Sequence, residues 1–418
     1  MRVLYLSYFY PPLGGPAALR NLKTVKYLAQ SGIVCDVITV RDIEYLYRDP
    51  ALMEENAAAT LIRTDSLDPM ALLKKGREAG GGDLSRIYLN TPEKLKLRVR
   101  QLYPVDNKIG WLPALIKAGR RAIRERRPEL IFVSLGPFSS GIGAYALSRE
   151  SGIPLAVDLR DYWTLLGDYD LQGGALNRSL SRGLEQRIYS HASLIITATA
   201  GIGTDAAQAF GADLAEKMLT VYNGWDEADF SGLPAPETPA GFTFAYFGNI
   251  YARRSLRHFY AALKRLRAEN TLPPGTRVKL YGNFFRETLR EVEHSGIQDL
   301  IDIVPQLSHR QALAAMQASS ALLLVINSSS PRGTLTSKLF EYLRAQKPIL
   351  AMVPGQYEAA KLLGACGHDL ICAMESSDSI YHCLKQLFAQ PAREYSIPWE
   401  LERKNQVAKL AEKLKSLF

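Results

Sequence analysis

Short apolar runs alternate with helically periodic stretches along almost the whole chain, and the alternation starts twice. The first series holds "VLYLS", "CDVITV", "LIFVSL", "PLAVDL", "SLIITAT" and "MLTVY"; the second holds "FTFAYFGN", "RVKLYGN", "LIDIVPQ", "ALLLVIN" and "PILAMV". Runs this apolar belong in parallel strands buried on both faces. Between several of them lie helical segments such as 17–31, with Leu19, Leu22, Val25 and Leu28 on one face. Two successive βα arrays imply two doubly wound α/β units, and 418 residues are too many for one compact core. The stretch 223–242, "NGWDEADFSGLPAPETPAGF", is rich in Gly, Pro and acidic residues and reads as a linker. The expected organisation is a first unit over 1–222, the linker, and a second unit over 243–399. A final helix over 400–418 carries Val407, Leu410, Ala411, Leu414, Leu417 and Phe418 at helical spacing. Residues 43–107 read as an irregular insertion in the first unit, containing "AGGGD" and the basic "EKLKLRVRQLY".

Hydrophobic residues at 47% and charged residues at 22% are ordinary for a soluble globular protein. Four cysteines are too few for a disulfide framework, and Cys366, Cys372 and Cys383 lack the spacing of a zinc knuckle, so buried thiols in a reducing compartment are expected. No apolar run is long enough to span a bilayer. The start "RVLYLSYFY" suits a buried strand better than a signal peptide, because it runs into Pro11-Pro12 and an amphipathic helix. The net charge is +9, and residues 70–127 hold 15 Lys and Arg against 5 acidic residues. A basic patch this confined points to an anionic surface, whether membrane, nucleic acid or polyanionic glycan, or else to a solvated helix face.

Two loops suit an anionic ligand. In "YFYPPLGGPAALR", Gly14 and Gly15 permit close backbone approach and Pro16 suits a first helical position, although G-x-G-x-x-G is absent and the pair taken alone reads first as a tight turn. In "AYFGNIYARRSLRHF", Gly248-Asn249 and then Arg253-Arg254 follow a first strand, where an open sheet binds its ligand; ordinary surface arginines are the alternative. A third stretch, "TLTSKLFEYLRAQKPIL", begins a helix that Thr334 or Thr336 can cap, with Leu335, Leu339, Tyr342 and Leu343 as its apolar stripe. Glu341 lies beside that stripe, on the face of Ser337 and Lys338. A Lys338–Glu341 pair would have the poorer orientation, and a lysine in the first turn faces the positive end of the dipole. Both oddities vanish if Lys338 contacts an anion at the helix start and Glu341 accepts hydrogen bonds from hydroxyls attached to it.

These motifs resemble those of the retaining family 4 glycosyltransferases of the GT-B fold. The resemblance covers nearly the whole chain through "YLSYFYPPLGGPAALRNLKTVKYLAQSG", "PVDNKIGW", "PLAVDLRDYW", "VYNGWDEADF", "FAYFGNIYARR" and "SKLFEYLRAQKPILA". It implies two facing Rossmann-like domains with a central cleft, an acceptor-binding first domain, a donor-binding second domain, and a C-terminal helix crossing back to the first. Glu341 matches the family's ribose-binding glutamate, Arg254 stands where a diphosphate-binding lysine is usual, and Gly14 and Gly15 match the glycine loop. The implied donor set is Gly14, Gly15, Gly248, Asn249, Arg254, Lys338, Leu339 and Glu341. The chain departs from the pattern at Gly333, where a second glutamate is usual, at Asn249 in place of a basic residue, and in lacking a histidine before His191. Asp161, in an "RDxW" segment with Arg160 and Trp163, is a candidate acceptor-side carboxylate or else the partner of Arg160.

The activity implied is transfer of a sugar, with retention, from a nucleoside-diphosphate sugar, expected to be UDP-linked, to an acceptor hydroxyl in cell-surface polysaccharide or glycolipid assembly. The enzyme would be a hexosyl- or N-acetylhexosaminyltransferase. Asp161, Arg254 and Lys338 are the candidate catalytic residues, with no metal or other cofactor. Expected partners are the donor, a glycan or lipid-linked acceptor and an anionic membrane surface met through residues 70–127, with no nucleic acid. The expected location is cytoplasmic, peripheral on the inner face of the cell membrane. The alternatives are a GT-B nucleotide-sugar epimerase and a non-catalytic nucleotide- or glycan-binding subunit.

Overall fold

The computed structural model describes all residues except 42, 44, 46–47, 57–58, 70, 72–73, 75–102, 167–173, 236–239, 251–253 and 390–394. The chain divides into two compact units, Met1–Asn223 with Arg403–Phe418, and Gly224–Glu402. The first is built on seven parallel strands: β1 (Arg2–Leu6), β2 (Val34–Val40), β3 (Ala59–Thr64), β4 (Leu130–Ser134), β5 (Leu155–Leu159), β6 (Leu194–Thr197) and β7 (Met218–Thr220). Their order is β3-β2-β1-β4-β5-β6-β7, so the direction of winding reverses between β1 and β4.

Alternation along β1 explains why helices cover both faces of this sheet. Val3 and Tyr5 join α1 (Pro16–Gln30), through Leu22, Val25 and Leu28, in one apolar cluster. Leu4 and Leu6 belong to the opposite cluster, with Leu115 of α2 (Leu112–Arg126), Leu147 of α3 (Ser139–Ser151), Ile188 of α4 (Ala175–His191) and Ile202 of α5 (Ala200–Phe210). The C-terminal helix Arg403–Lys415 adds Val407, Leu410 and Leu414 to the α1 side. It is therefore a packing element of the first unit, tied also by Gln406 Oε1, which accepts the Tyr222 N–H at 2.9 Å.

The second unit has six parallel strands: β8 (Thr243–Phe247), β9 (Arg277–Tyr281), β10 (Ile301–Val304), β11 (Ala321–Val325), β12 (Ile349–Met352) and β13 (Ile371–Cys372). Their order is β10-β9-β8-β11-β12-β13, again with a reversal beside the first strand. The accompanying helices are α6 (Glu227–Phe230), α7 (Arg257–Ala268), α8 (Arg286–Glu293), α9 (His309–Ala318), α10 (Ser337–Ala345), α11 (Glu358–Ala365) and α12 (Ser377–Ala389).

Two strands, β3 and β13, have no counterpart among the apolar runs of the sequence. β3 lies inside the insertion and is only half-buried, and β13 has two residues. The start of the linker stretch, 224–235, is more ordered than its composition suggests. Asp226 caps α6 by accepting the Ala228 N–H, and Arg344 grips Glu227 through two hydrogen bonds of 2.5 and 2.6 Å. Acidic residues that read as linker composition serve here as a helix cap and an ion-pair partner. Among the described residues no helix is long and apolar enough to cross a membrane.

Candidate functional site

In the second unit the switch point falls between the carboxyl ends of β8 and β11, and three of the expected site residues converge there. Gly248, next after β8, has φ +95°, a conformation costly for any residue with a side chain. A Cβ at this position would stand 2.9 Å from Lys338 Nζ. The Lys338 ammonium, carried by the first turn of α10, donates to Phe247 O and, at 3.4 Å, to Tyr246 Oη; it also lies 4.5 Å from the centre of the Tyr246 ring. One turn further along α10, the buried Tyr342 hydroxyl accepts the Phe247 N–H at 3.3 Å. Two side chains of one helix thus hold both polar groups of the last β8 residue. Asn249 Oδ1 accepts the Asn283 N–H at 3.0 Å, joining the loops that follow β8 and β9.

The start of α10 is open. Its N-cap residue Thr336 makes no side-chain capping bond, and its buried Oγ1 has no hydrogen-bond partner among the described residues. Thr334 does not cap the helix. Leu339 is fully buried, and its N–H is bonded to Thr336 O at 3.1 Å, so it serves as the core anchor of the first turn. The N-terminal dipole and the ammonium of Lys338 together favour an anion here.

Lys338 and Glu341 do not pair. Glu341 Oε1 instead accepts from His309 Nε2 at 2.9 Å, and His309 Nδ1 stands 3.8 Å from Asp229 Oδ2. The three side chains come from α10, α9 and α6, with α9 packed against each of the other two. Neither His309 nor Asp229 was singled out from the sequence. They stand 32 and 112 residues from Glu341, and no local spacing links them. Arg254 lies half-buried in the segment before α7, while Arg253 is outside the described residues.

The first unit places its own candidates at its own switch point and beside it. Gly15, at φ +87°, is the N-cap of α1, with Pro16 at the first helical position. Asp161 is exposed after β5, its Oδ1 accepting the Tyr162 N–H at 2.9 Å. Arg160 donates to Leu135 O at 2.8 Å and to Gly136 O, so its guanidinium braces the end of β4; burial pushes its pKa down. Nearby, Arg20 of α1 clasps Asp158 through bonds of 2.6 and 3.1 Å and donates to Val221 O and Asn223 Oδ1. Burial works against the Arg20 charge, but Asp158 holds its pKa above the ordinary value. The segment after Asp161 is anchored by buried Glu185, whose Oε2 accepts both the N–H and the hydroxyl of Thr164 while Oε1 accepts from Tyr189 Oη at 2.8 Å. Burial raises the Glu185 pKa to about 7 against those bonds.

Residues 17–224 match the family model described as "Glycosyl transferase 4-like domain". Residues 17–224 belong to this glycosyl transferase 4-like family. The chain's two parallel-sheet, Rossmann-like units are those of the GT-B fold, and solved structures of that build align along the full length. Anabaena HepE in complex with UDP-glucose is 16% identical, with each chain covered at 100% and a TM-score of 0.56. The lipopolysaccharide outer core galactosyltransferase WaaB is 12% identical, each chain covered at 100%, with a TM-score of 0.59. The UDP-GlcNAc 2-epimerase of Methanocaldococcus jannaschii is 9% identical, each chain covered at 100%, with a TM-score of 0.57. No curated protein matches the sequence. At these identities the likeness establishes the fold and leaves the reaction to this chain's own residues.

Proposed function

We propose that this chain is a retaining glycosyltransferase that takes a hexosyl or N-acetylhexosaminyl group from a UDP-sugar to an acceptor hydroxyl, in polysaccharide or glycolipid assembly. The observation that carries the reading is the meeting of Gly248 and Lys338 at the β8/β11 switch point, with Glu341 one turn further along the helix that supplies Lys338. A nucleoside diphosphate fits that arrangement: phosphate oxygens against the ammonium and the open α10 start, ribose hydroxyls against the carboxylate. The UDP-glucose bound to the structurally similar HepE supports uridine as the base to try first.

In this reading the departing diphosphate is stabilised by fixed positive charge from Lys338 and Arg254, and no metal is required. Asn249 and Leu339 hold the surrounding backbone. Retention follows if the acceptor attacks on the face from which the phosphate leaves, its proton passing to a phosphate oxygen as the new glycosidic bond forms. Gly14 and Gly15 would approach the diphosphate, and Asp161 would act on the acceptor side.

Incubation of the protein with UDP-glucose and UDP-N-acetylglucosamine, with and without glycan and lipid-linked acceptors, tests the reading. Acceptor-dependent release of UDP that survives EDTA is expected. A changed sugar with no acceptor present would establish an epimerase instead, and UDP-sugar binding without turnover on any acceptor would establish a binding subunit.

A further inference from the structure

We propose that His309 is a positioning residue that presents the Glu341 carboxylate to the ligand's ribose, an inference that rests on the reading of Glu341 given above. Glutamate has three free side-chain torsions, and fixing them upon binding would oppose association. In this chain the torsions are fixed beforehand. A carboxylate only accepts hydrogen bonds, so the 2.9 Å contact requires the hydrogen on His309 Nε2. The other carboxylate oxygen, Oε2, takes no hydrogen bond from the described residues. One oxygen is therefore tethered while its twin stays available to a pair of hydroxyls.

The histidine is itself confined. It occupies the first position of α9, next to the Ser308 cap, which forms a capping box with Gln311. The imidazole therefore projects from a fixed helix start. Asp229 Oδ2, 3.8 Å from Nδ1, bounds the ring on the side away from Glu341. Glu341 and His309 side chains retain 15% and 24% of their exposure, so the pair is part-buried yet still open to solvent on one side.

The test is calorimetric titration of the full chain with UDP and with 2′,3′-dideoxy-UDP, which lacks the ribose hydroxyls. Wild type is expected to favour UDP by roughly tenfold or more, and Glu341→Ala to erase that preference. His309→Ala should erase most of it too. His309→Gln, whose amide can donate from a similar reach, should restore it. The double variant should behave as Glu341→Ala alone. The ratio of the two affinities is insensitive to a uniform loss of folded protein. Full preference in His309→Ala, or additive losses in the double variant, would overturn the role of His309 and leave Glu341 standing. Wild type that does not distinguish the two ligands, or a Glu341→Ala variant that still does, would bring down the ribose reading itself and this inference with it.

Discussion

At the scale of single residues, Lys338 and Arg254 make the sharpest claim. If both face one diphosphate, removing either leaves the other against the same charge, so their effects are coupled. A double-mutant cycle of Lys338→Ala and Arg254→Ala should show an interaction energy of roughly 0.5–3 kcal/mol in donor binding and in single-turnover rate. Strict additivity would put them at separate sites. Glu185 supports a different prediction, about stability. Its carboxyl keeps its proton to about pH 7 in the folded state, against an ordinary value of 4.5. Its contribution is fully present below pH 4.5 and is lost as pH rises through 7. Glu185→Gln, which can still accept from Thr164 and donate to Tyr189, should therefore be more stable than wild type at pH 8 by about 1–3 kcal/mol, with little gain at pH 4.5. Thermal unfolding at the two pH values measures this; an equal shift at both would mean that the charge on Glu185 carries no cost. The anomaly of Glu341 was visible in the sequence, since Lys338 is a poor intrahelical partner for it. Its actual partner was not, because a lone histidine at a helix start reads as surface.

At the scale of elements, α10 holds the end of β8 from two sides, and Gly248 is the residue that makes room for it. Gly248→Ala places a Cβ 2.9 Å from Lys338 Nζ at a φ of +95°. The ammonium is the end of a flexible chain and can swing aside, so the fold should survive at a backbone cost of roughly 1–2 kcal/mol. Donor binding should suffer more than stability does, which comparison of UDP affinity with melting temperature would check; intact UDP affinity in a destabilised protein would separate Gly248 from the site. The strands were legible wherever both faces are buried, as in "ALLLVIN", because an unbroken apolar run has few other uses. β3 was not, since its six residues are half-buried at a sheet edge and follow no clear period. The basic segment 70–127 divides here too. Residues 70, 72–73 and 75–102 lie outside the described residues, while α2 exposes Lys117, Arg120, Arg121 and Arg124. We expect sedimentation with anionic vesicles at low salt that weakens at high salt. Equal recovery with neutral vesicles would return the patch to a solvated face.

At the scale of the whole molecule, the repeated alternation of apolar runs and helical segments revealed two units and their parallel sheets. It revealed less about their margins. Residues 224–235 join the second unit through the Asp226 cap and the Arg344–Glu227 pair, which composition does not disclose. Cys35, Cys366 and Cys372 are buried free thiols as expected, whereas Cys383 is only half-buried. The account as a whole turns on the second unit's switch point being a nucleoside-diphosphate site. Titration of UDP into the 418-residue chain, beside Lys338→Ala and Glu341→Ala, tests that most directly. Saturable binding by wild type, weakened by about one to two decades in each variant, is the predicted result. UDP affinity unchanged in both variants would contradict it.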